Sequence, residues 1–165
     1  MVDYRKYTIF ISFISVIILG LLRFIPNIII LSAENQPSYP KIAIYQIATN
    51  FHADSENLYN LGKLQYQMAI ETNSTLYFEK AQATFYKALK LDPTATKNLI
   101  KLAQIELLTS TNKQKIAVLL NTAFLVEPNY SAKKERITLA LIALSDLNAS
   151  SKQILLSDIQ NFATN

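Results

Sequence analysis

The sequence predicts an all-α protein in which an N-terminal transmembrane helix precedes an array of helical hairpins. Hydrophobic residues make up 50% of the 165 residues, and many of them fall within the first 31. Glycine occurs only at Gly20 and Gly62, which argues against turn-rich β architectures that need many residues tolerant of positive φ. Farther along, apolar residues recur at helical spacing in segments that resemble one another. Together these observations favour helices throughout.

The first segment predicted is a membrane anchor over residues 1–33. Residues 7–22 carry no charge, Arg5 and Lys6 precede them, and the chain after Arg23 is apolar again to Leu31. A helix needs about 20 apolar residues to cross a bilayer, so this stretch is long enough with its extension. The alternative is a signal sequence. Its cleavage site would match poorly, because Leu31 is large where a small residue is needed.

Two further expectations concern this segment. Pro26 is expected to end or kink the helix near Arg23, because the residue before a proline is driven out of the α region. The weak excess of positive charge at Arg5 and Lys6 slightly favours an N-terminus on the cytoplasmic or stromal side.

A linker with a short helix is predicted over residues 34–54. Residues 32–40 are polar and contain two prolines, and Pro40 is expected to open the helix at its first position. The predicted apolar face of this helix comprises Ile44, Ile47, Ala48 and Phe51. Residues 52–55 break the pattern, and Asp54 or Ser55 is expected to cap the next helix.

An internal repeat then appears in residues 55–165. Residues 57–65 (NLYNLGKLQ) match residues 98–106 (NLIKLAQIE) at an offset of 41, and residues 85–93 match residues 120–128 at an offset of 35. A helix pair cannot bury its apolar stripe alone, so such pairs stack on their neighbours.

This pattern resembles the tetratricopeptide repeat, a helix–turn–helix unit of 34 residues. The resemblance implies a right-handed solenoid of about three repeats, near residues 55–95, 96–130 and from 131 onward. The matching positions are Leu58, Leu61, Gly62, Ala81, Phe85, Ala88, Pro93, Leu99, Leu102, Ala103, Ala123 and Pro128. The alternative is an unrelated helical bundle.

The repeats also depart from the family pattern. Gln65 and Glu106 stand where tyrosine is usual, and about seven extra residues around 71–78 are expected to lengthen the loop of the first pair. The third repeat is degenerate. Ser150 with Gln153 resembles a capping box that opens a last helix.

Nothing in the sequence points to catalysis. His52 is the single histidine, cysteine is absent, and two glycines cannot form a phosphate-binding loop. The net charge of +4 is dispersed, which is a weak signal for nucleic acid. We therefore expect no enzymatic activity, no cofactor, no metal site, no small-molecule substrate and no nucleic-acid partner.

The resemblance implies a binding surface instead, because the first helices of tetratricopeptide pairs line a concave groove. By register, the groove residues would be Tyr59, Lys63, Tyr66, Lys97, Ile100, Gln104, Glu135 and Leu139. Their mixture of tyrosine, lysine and apolar side chains suggests an extended or helical peptide ligand with some acidic character.

The whole layout is similar to that of membrane-anchored tetratricopeptide proteins that assist photosystem I assembly in cyanobacteria and red-algal plastids. The chain is rich in Ile, Asn, Lys and Leu, a bias typical of AT-rich genomes. The resemblance implies a single-pass thylakoid protein whose partners are photosystem I subunits or assembly factors. The alternative is a bacterial inner-membrane protein that serves cytochrome c maturation, pilus biogenesis or outer-membrane assembly.

Overall fold

The structure, a computed structural model, describes residues 4–33 and 36–163. Residues 1–3, 34–35 and 164–165 of the three predicted segments lie outside the described residues, as do the side chains of Arg5, Lys6 and Arg23 that underlie the expected orientation. Regular structure in the described ranges is entirely helical, which confirms the predicted all-α class. The helices are α1 (Tyr4–Leu31), α2 (Ser38–Phe51), α3 (Ser55–Thr72), α4 (Thr75–Leu91), α5 (Thr96–Thr109), α6 (Lys113–Val126), α7 (Lys133–Ile142) and α8 (Ala149–Ala163), with a 3₁₀ turn at Leu144–Asp146.

Helix α1 is long and apolar enough to cross a membrane. Its segment Ile11–Leu31 has a mean hydropathy of 2.4, and only 7% of the most apolar window is covered by other parts of the chain. Of the two effects expected of Pro26, an end to the helix is wrong, because α1 continues to Leu31. Proline disturbs a helix interior by about 3 kcal/mol. The Pro26 ring is nevertheless fully buried within the fold.

Helix α2 runs back along the end of α1. It begins at Ser38, so Pro40 lies within the first turn and not at the first position as expected. The first turn tolerates proline because its N–H groups have no partner within the helix. The expected apolar face is also partly wrong. Ile42 and Ala48 are buried, whereas Ile47 and Phe51 are 50% and 63% exposed.

Helices α3 and α4 form an antiparallel pair. Asp54 caps α3 by accepting a hydrogen bond at 2.8 Å from the Asn57 backbone N–H. The loop of this pair is not lengthened as expected. It contains only Asn73 and Ser74, with Asn73 in the left-handed region at φ 49°. The extra residues instead extend both helices.

Helices α5 and α6 form the second pair, and its core is continuous with that of the first. Gln65 and Glu106 stand at the two positions where the tetratricopeptide pattern usually has tyrosine. Both are buried polar side chains, and each bonds to the second helix of its own pair. The Thr84 hydroxyl donates to Gln65 Oε1 at 2.7 Å, and Lys115 Nζ lies 2.5 Å from Glu106 Oε2. Ten of the twelve repeat-defining residues are buried, and the exceptions are Pro93 and Pro128, which lie just after α4 and α6.

Helices α7 and α8 close the C-terminal end. Asn148 caps α8 by accepting a hydrogen bond at 2.8 Å from the Ser151 backbone N–H, so the predicted cap at Ser150 is wrong. Arg136 of α7 is fully buried and donates to Asp158 of α8 at 2.5 Å. The same guanidinium donates to the backbone oxygens of Glu127 and Pro128 at 2.6 and 2.7 Å. One side chain thus ties α8 to the turn after α6.

Candidate partner-binding surface

Side chains from the first helix of each pair meet on one surface, which we call the first-helix surface. It comprises Tyr59 and Tyr66 of α3, Lys97, Lys101 and Gln104 of α5, and Glu135 of α7. Contacts between successive first helices join these side chains into a row, from α3 to α5 and from α5 to α7.

Two tyrosine–lysine contacts connect α3 to α5. Lys97 Nζ lies 4.4 Å from the ring centroid of Tyr59, and Lys101 Nζ lies 5.7 Å from that of Tyr66. The two lysines are four residues apart and therefore share a helix face. A cation over an aromatic face is worth about 0.5–1 kcal/mol when exposed, so these contacts orient the lysines rather than fix them.

Phenylalanines of α4 pack against the two tyrosine rings. The ring centroids of Tyr59 and Phe85 are 5.9 Å apart, and those of Tyr66 and Phe78 are 6.1 Å apart in an edge-on arrangement. Both tyrosines are consequently half-buried, with little freedom to change rotamer.

Acidic groups compensate the lysines. Lys97 is hydrogen-bonded to Glu56, and Lys101 Nζ lies 3.5 Å from Glu135 Oε2. Gln104 Nε2 also donates to Glu135, at 3.2 Å. In contrast, Lys63 is exposed and forms no ion pair among the described residues. The row is therefore polar and its two lysines are compensated, whereas Lys63, which is not part of the row, is not.

Burial and nearby acids keep the phenols protonated. Burial, followed by the charges of Glu135 and Glu56, raises the pKa of Tyr59 above its usual 10.0. Burial and Glu135 raise the pKa of Tyr66 in the same direction. Both hydroxyls thus remain able to donate as well as accept hydrogen bonds at neutral pH.

An apolar depression of about 300 Å³ lies beside this row, between α5 and α7. Leu108 on its rim is 53% exposed, whereas Leu139 forms its floor and is only 4% exposed. The depression would accept one or two apolar side chains of a bound segment. Its lining residues are Tyr66, Gln104, Leu107, Leu108, Lys134, Glu135, Thr138 and Leu139.

The structure brings together most of the predicted groove residues, with two corrections. Ile100 is fully buried in the hydrophobic core and therefore offers nothing to a partner. Leu139 contributes only through the depression. The sequence prediction missed Lys101, Leu108 and Lys134. Lys101 was within reach of sequence reasoning, since it follows the predicted groove residue Lys97 by one helical turn.

The chemistry available here is that of recognition, through aromatic faces, phenol hydroxyls, lysines and an apolar depression. In the described ranges, no three residues of the His, Cys, Asp and Glu types lie close enough to hold a metal ion together. Comparisons with protein-family models, with curated proteins and with solved structures found no match to this chain.

Proposed function

We propose that this protein is a membrane-anchored scaffold of the tetratricopeptide type, which holds a segment of a protein partner on its first-helix surface. Helix α1 is the anchor. The pairs α3/α4, α5/α6 and α7/α8 are the three repeats of a right-handed array. The function is positional, because confinement to a membrane raises the effective concentration of one partner for another.

The repeat geometry supports this reading. Consecutive helices pack on each other, and the first helices of neighbouring pairs also touch. The absence of a Cβ at Gly62, together with small residues at Ala103, Ala81 and Ala88, allows the close helix approach that such pairs require.

The observation that carries the proposal is the tyrosine–lysine row beside the apolar depression. Tyrosine is favoured at protein interfaces because it offers a large rigid contact area and a hydrogen-bonding tip. Here two such rings are oriented in advance by Phe85 and Phe78, which reduces the entropy lost on binding. A partner segment would lie along the row and insert an apolar side chain over Leu139.

The partner we propose is a membrane complex under assembly, namely photosystem I in a thylakoid membrane. The support is the layout of anchor and repeats and the amino-acid bias of the sequence. We assign the chain the role of an assembly or stabilising factor without catalytic activity.

Affinity capture from the host's own membranes tests this proposal. Tagged full-length protein is purified in a mild non-ionic detergent, and co-purifying proteins are identified by mass. We expect photosystem I subunits or assembly intermediates, and we expect Leu108→Glu to abolish their capture. The matched control is Leu125→Glu, because Leu125 is 81% exposed on α6 and lies outside the surface.

Two outcomes would count against the proposal. Capture of haem-handling or pilus proteins without photosystem subunits would replace the assembly role with one in a bacterial envelope. Equal capture by the Leu108 and Leu125 variants would remove the first-helix surface from the binding, whatever the partner.

A further inference from the structure

A second groove lies between α2 and α4, with α3 as its floor, and we call it the α2–α4 groove. Its volume is about 630 Å³. Leu58, Leu61 and Gln65 of α3 line it, whereas Tyr59 and Tyr66 of α3 belong to the first-helix surface. At about 100° per residue, these two sets of α3 side chains point roughly a third of a turn apart. The groove is therefore a separate surface.

The groove is strongly one-sided in charge. Lys80, Lys87 and Lys90 of α4 line one wall, and no carboxylate is among the described residues of its lining. Elsewhere on this domain, the lysines of the first-helix surface are compensated by Glu56 and Glu135. The three lysines of the groove form no ion pair with any described residue, and only Lys80 has a further contact, to the Tyr77 ring at 5.2 Å.

The floor combines apolar surface with hydrogen-bonding groups. Leu58 and Leu61 contribute the apolar part. Gln65 Oε1 accepts a hydrogen bond from the Thr84 hydroxyl. The amide nitrogen of Gln65 has no hydrogen-bond partner among the described residues. Across the groove, Gln46 and Asn50 of α2 present side-chain amides. A bound segment would thus meet donors and acceptors along its backbone and apolar surface beneath it.

We propose that the α2–α4 groove is a second docking site, which binds an acidic segment of a protein partner with an apolar anchor residue. Charge complementarity selects the occupant, because carboxylates would compensate lysines that have no acidic partner among the described residues. The apolar floor favours a peptide with a Leu-like side chain over a purely ionic ligand. The length of wall from Lys80 to Leu91 is about 16 Å at 1.5 Å per residue, enough for four or five extended residues. With two separate surfaces, the protein would hold two segments at once.

Fluorescence anisotropy on the purified full-length chain in non-ionic detergent tests this site. The probe is a fluorescein-labelled peptide of alternating Glu-Leu-Glu-Glu-Leu-Glu composition, and its counterpart with Lys in place of Glu is the control peptide. We expect the acidic peptide to bind at low salt, and the affinity to fall as salt is raised. We expect Lys87→Glu combined with Lys90→Glu to weaken binding at least tenfold.

Two variants make the result specific. Ala83→Phe fills the groove from an exposed position of α4 without altering charge, and we expect a comparable loss with unchanged helicity by circular dichroism. Lys113→Glu makes one such charge reversal at an exposed site on α6 outside the groove, and we expect an affinity within twofold of the parent.

The proposal is overturned if the acidic peptide does not bind, or if Lys113→Glu weakens binding as much as the groove variants. It is also overturned if vesicles containing phosphatidylglycerol bind through Lys87 and Lys90 while the peptide does not, since the groove would then serve a lipid headgroup. None of these outcomes involves Leu108, so the first-helix surface is tested independently by the capture experiment.

Discussion

Gly62 of α3 lies against the ring of Phe85 of α4, so closely that a Cβ at position 62 would be 2.8 Å from Phe85 Cε1. The ring is fully buried and cannot swing away into solvent. The equivalent positions of the second repeat are Ala103 and Leu120, where a slightly larger residue accompanies a smaller partner. In both pairs a small residue of the first helix is thus aligned with a large apolar residue of the second, although the sizes differ.

Gly62→Ala should lower the free energy of unfolding by about 1–2 kcal/mol. Overpacking a core costs about 1–3 kcal/mol, and the better helix propensity of alanine returns up to about 1 kcal/mol of it. Urea denaturation followed by circular dichroism measures the change. In a Phe85→Leu background the same substitution should cost less, since the smaller side chain leaves room for the new methyl group. Equal costs in the two backgrounds would mean that the ring does not limit position 62.

Asp158→Asn should destabilise the C-terminal pair by about 3 kcal/mol, because it leaves the buried guanidinium of Arg136 without its counter-charge. Asp146→Asn is the matched control. Asp146 is exposed in the 3₁₀ turn, and its substitution should change stability by less than about 0.5 kcal/mol. Hydrogen exchange would locate the loss, which we expect in α7 and α8. A uniform loss over all helices would show that the last pair does not open separately.

The stabilisation from Glu106 should depend on pH. Burial alone would raise the pKa of this carboxyl, but hydrogen bonds from Lys115 and Ser110 outweigh it and hold the pKa below its ordinary 4.5. The contribution is therefore fully present above pH 4.5 and is lost as pH falls through the lowered pKa. Lys115 is 43% exposed, so solvent screening keeps the effect near 1 kcal/mol.

The stability difference between the parent and Glu106→Gln, measured by urea denaturation from pH 3 into the alkaline range, displays this dependence. It should be constant near neutrality and shrink in acid. At the alkaline end, the hydrogen bond to Glu106 raises the pKa of Lys115 above 10.5, so this stabilisation should persist to pH 10 and vanish beyond the raised pKa. A difference that grew in acid would contradict the assignment.

Charge reversal should lower stability at Lys97 but not at Lys63. Lys97→Glu removes the contact with the Tyr59 ring and places a carboxylate beside Glu56, so we expect a loss of about 1 kcal/mol in stability. Lys63→Glu touches no such partner and should leave the urea midpoint unchanged. Lys63→Glu is therefore the cleaner probe of partner capture, and a lower midpoint for it would show a contact that Lys63 makes within the fold.

Membrane retention should depend on the apolar surface of α1. Replacing both Ile14 and Ile17 with Lys should release the protein on alkaline extraction of membranes, because each charge at a helix centre costs about 2.5–3.5 kcal/mol on insertion.

The intact mass of the membrane-bound protein distinguishes a retained anchor from a cleaved signal sequence. A mass that includes residues 4–31 supports the anchor, whereas a shortened chain would identify a cleaved signal sequence.

Sequence reasoning predicted the helical hairpins well, because Leu58, Leu61, Leu99 and Leu102 define apolar faces by spacing alone. The prediction failed where tertiary contacts determine where a helix ends. The extra residues near 71–78 are helical apart from Asn73 and Ser74, and the lengthened α4 buries Phe78. The continuation of α1 through the buried Pro26 is likewise not predicted by local propensity.

The candidate surface was predicted in the same uneven way. Register alone located Tyr59, Tyr66 and Lys97, but it could not tell that Ile100 turns into the core. Asn98, aligned with Asn57, is fully buried and its side-chain amide has no hydrogen-bond partner among the described residues. The bond between Arg136 and Asp158 joins residues 22 positions apart, and no spacing rule links them.

The continuity of α1 sets the height of the domain above the bilayer. Its 28 residues extend about 42 Å, whereas the hydrocarbon layer is about 30 Å thick. Asp54, at the start of α3, lines the same cleft as Gly20 and Asn27 of α1, and a carboxylate belongs outside the hydrocarbon. With α1 as the anchor, the helix is about 12 Å longer than the hydrocarbon is thick, and its last turns, against which α2 packs, form a rigid stalk outside the bilayer. Any tilt of the anchor in the bilayer would rotate both docking surfaces together.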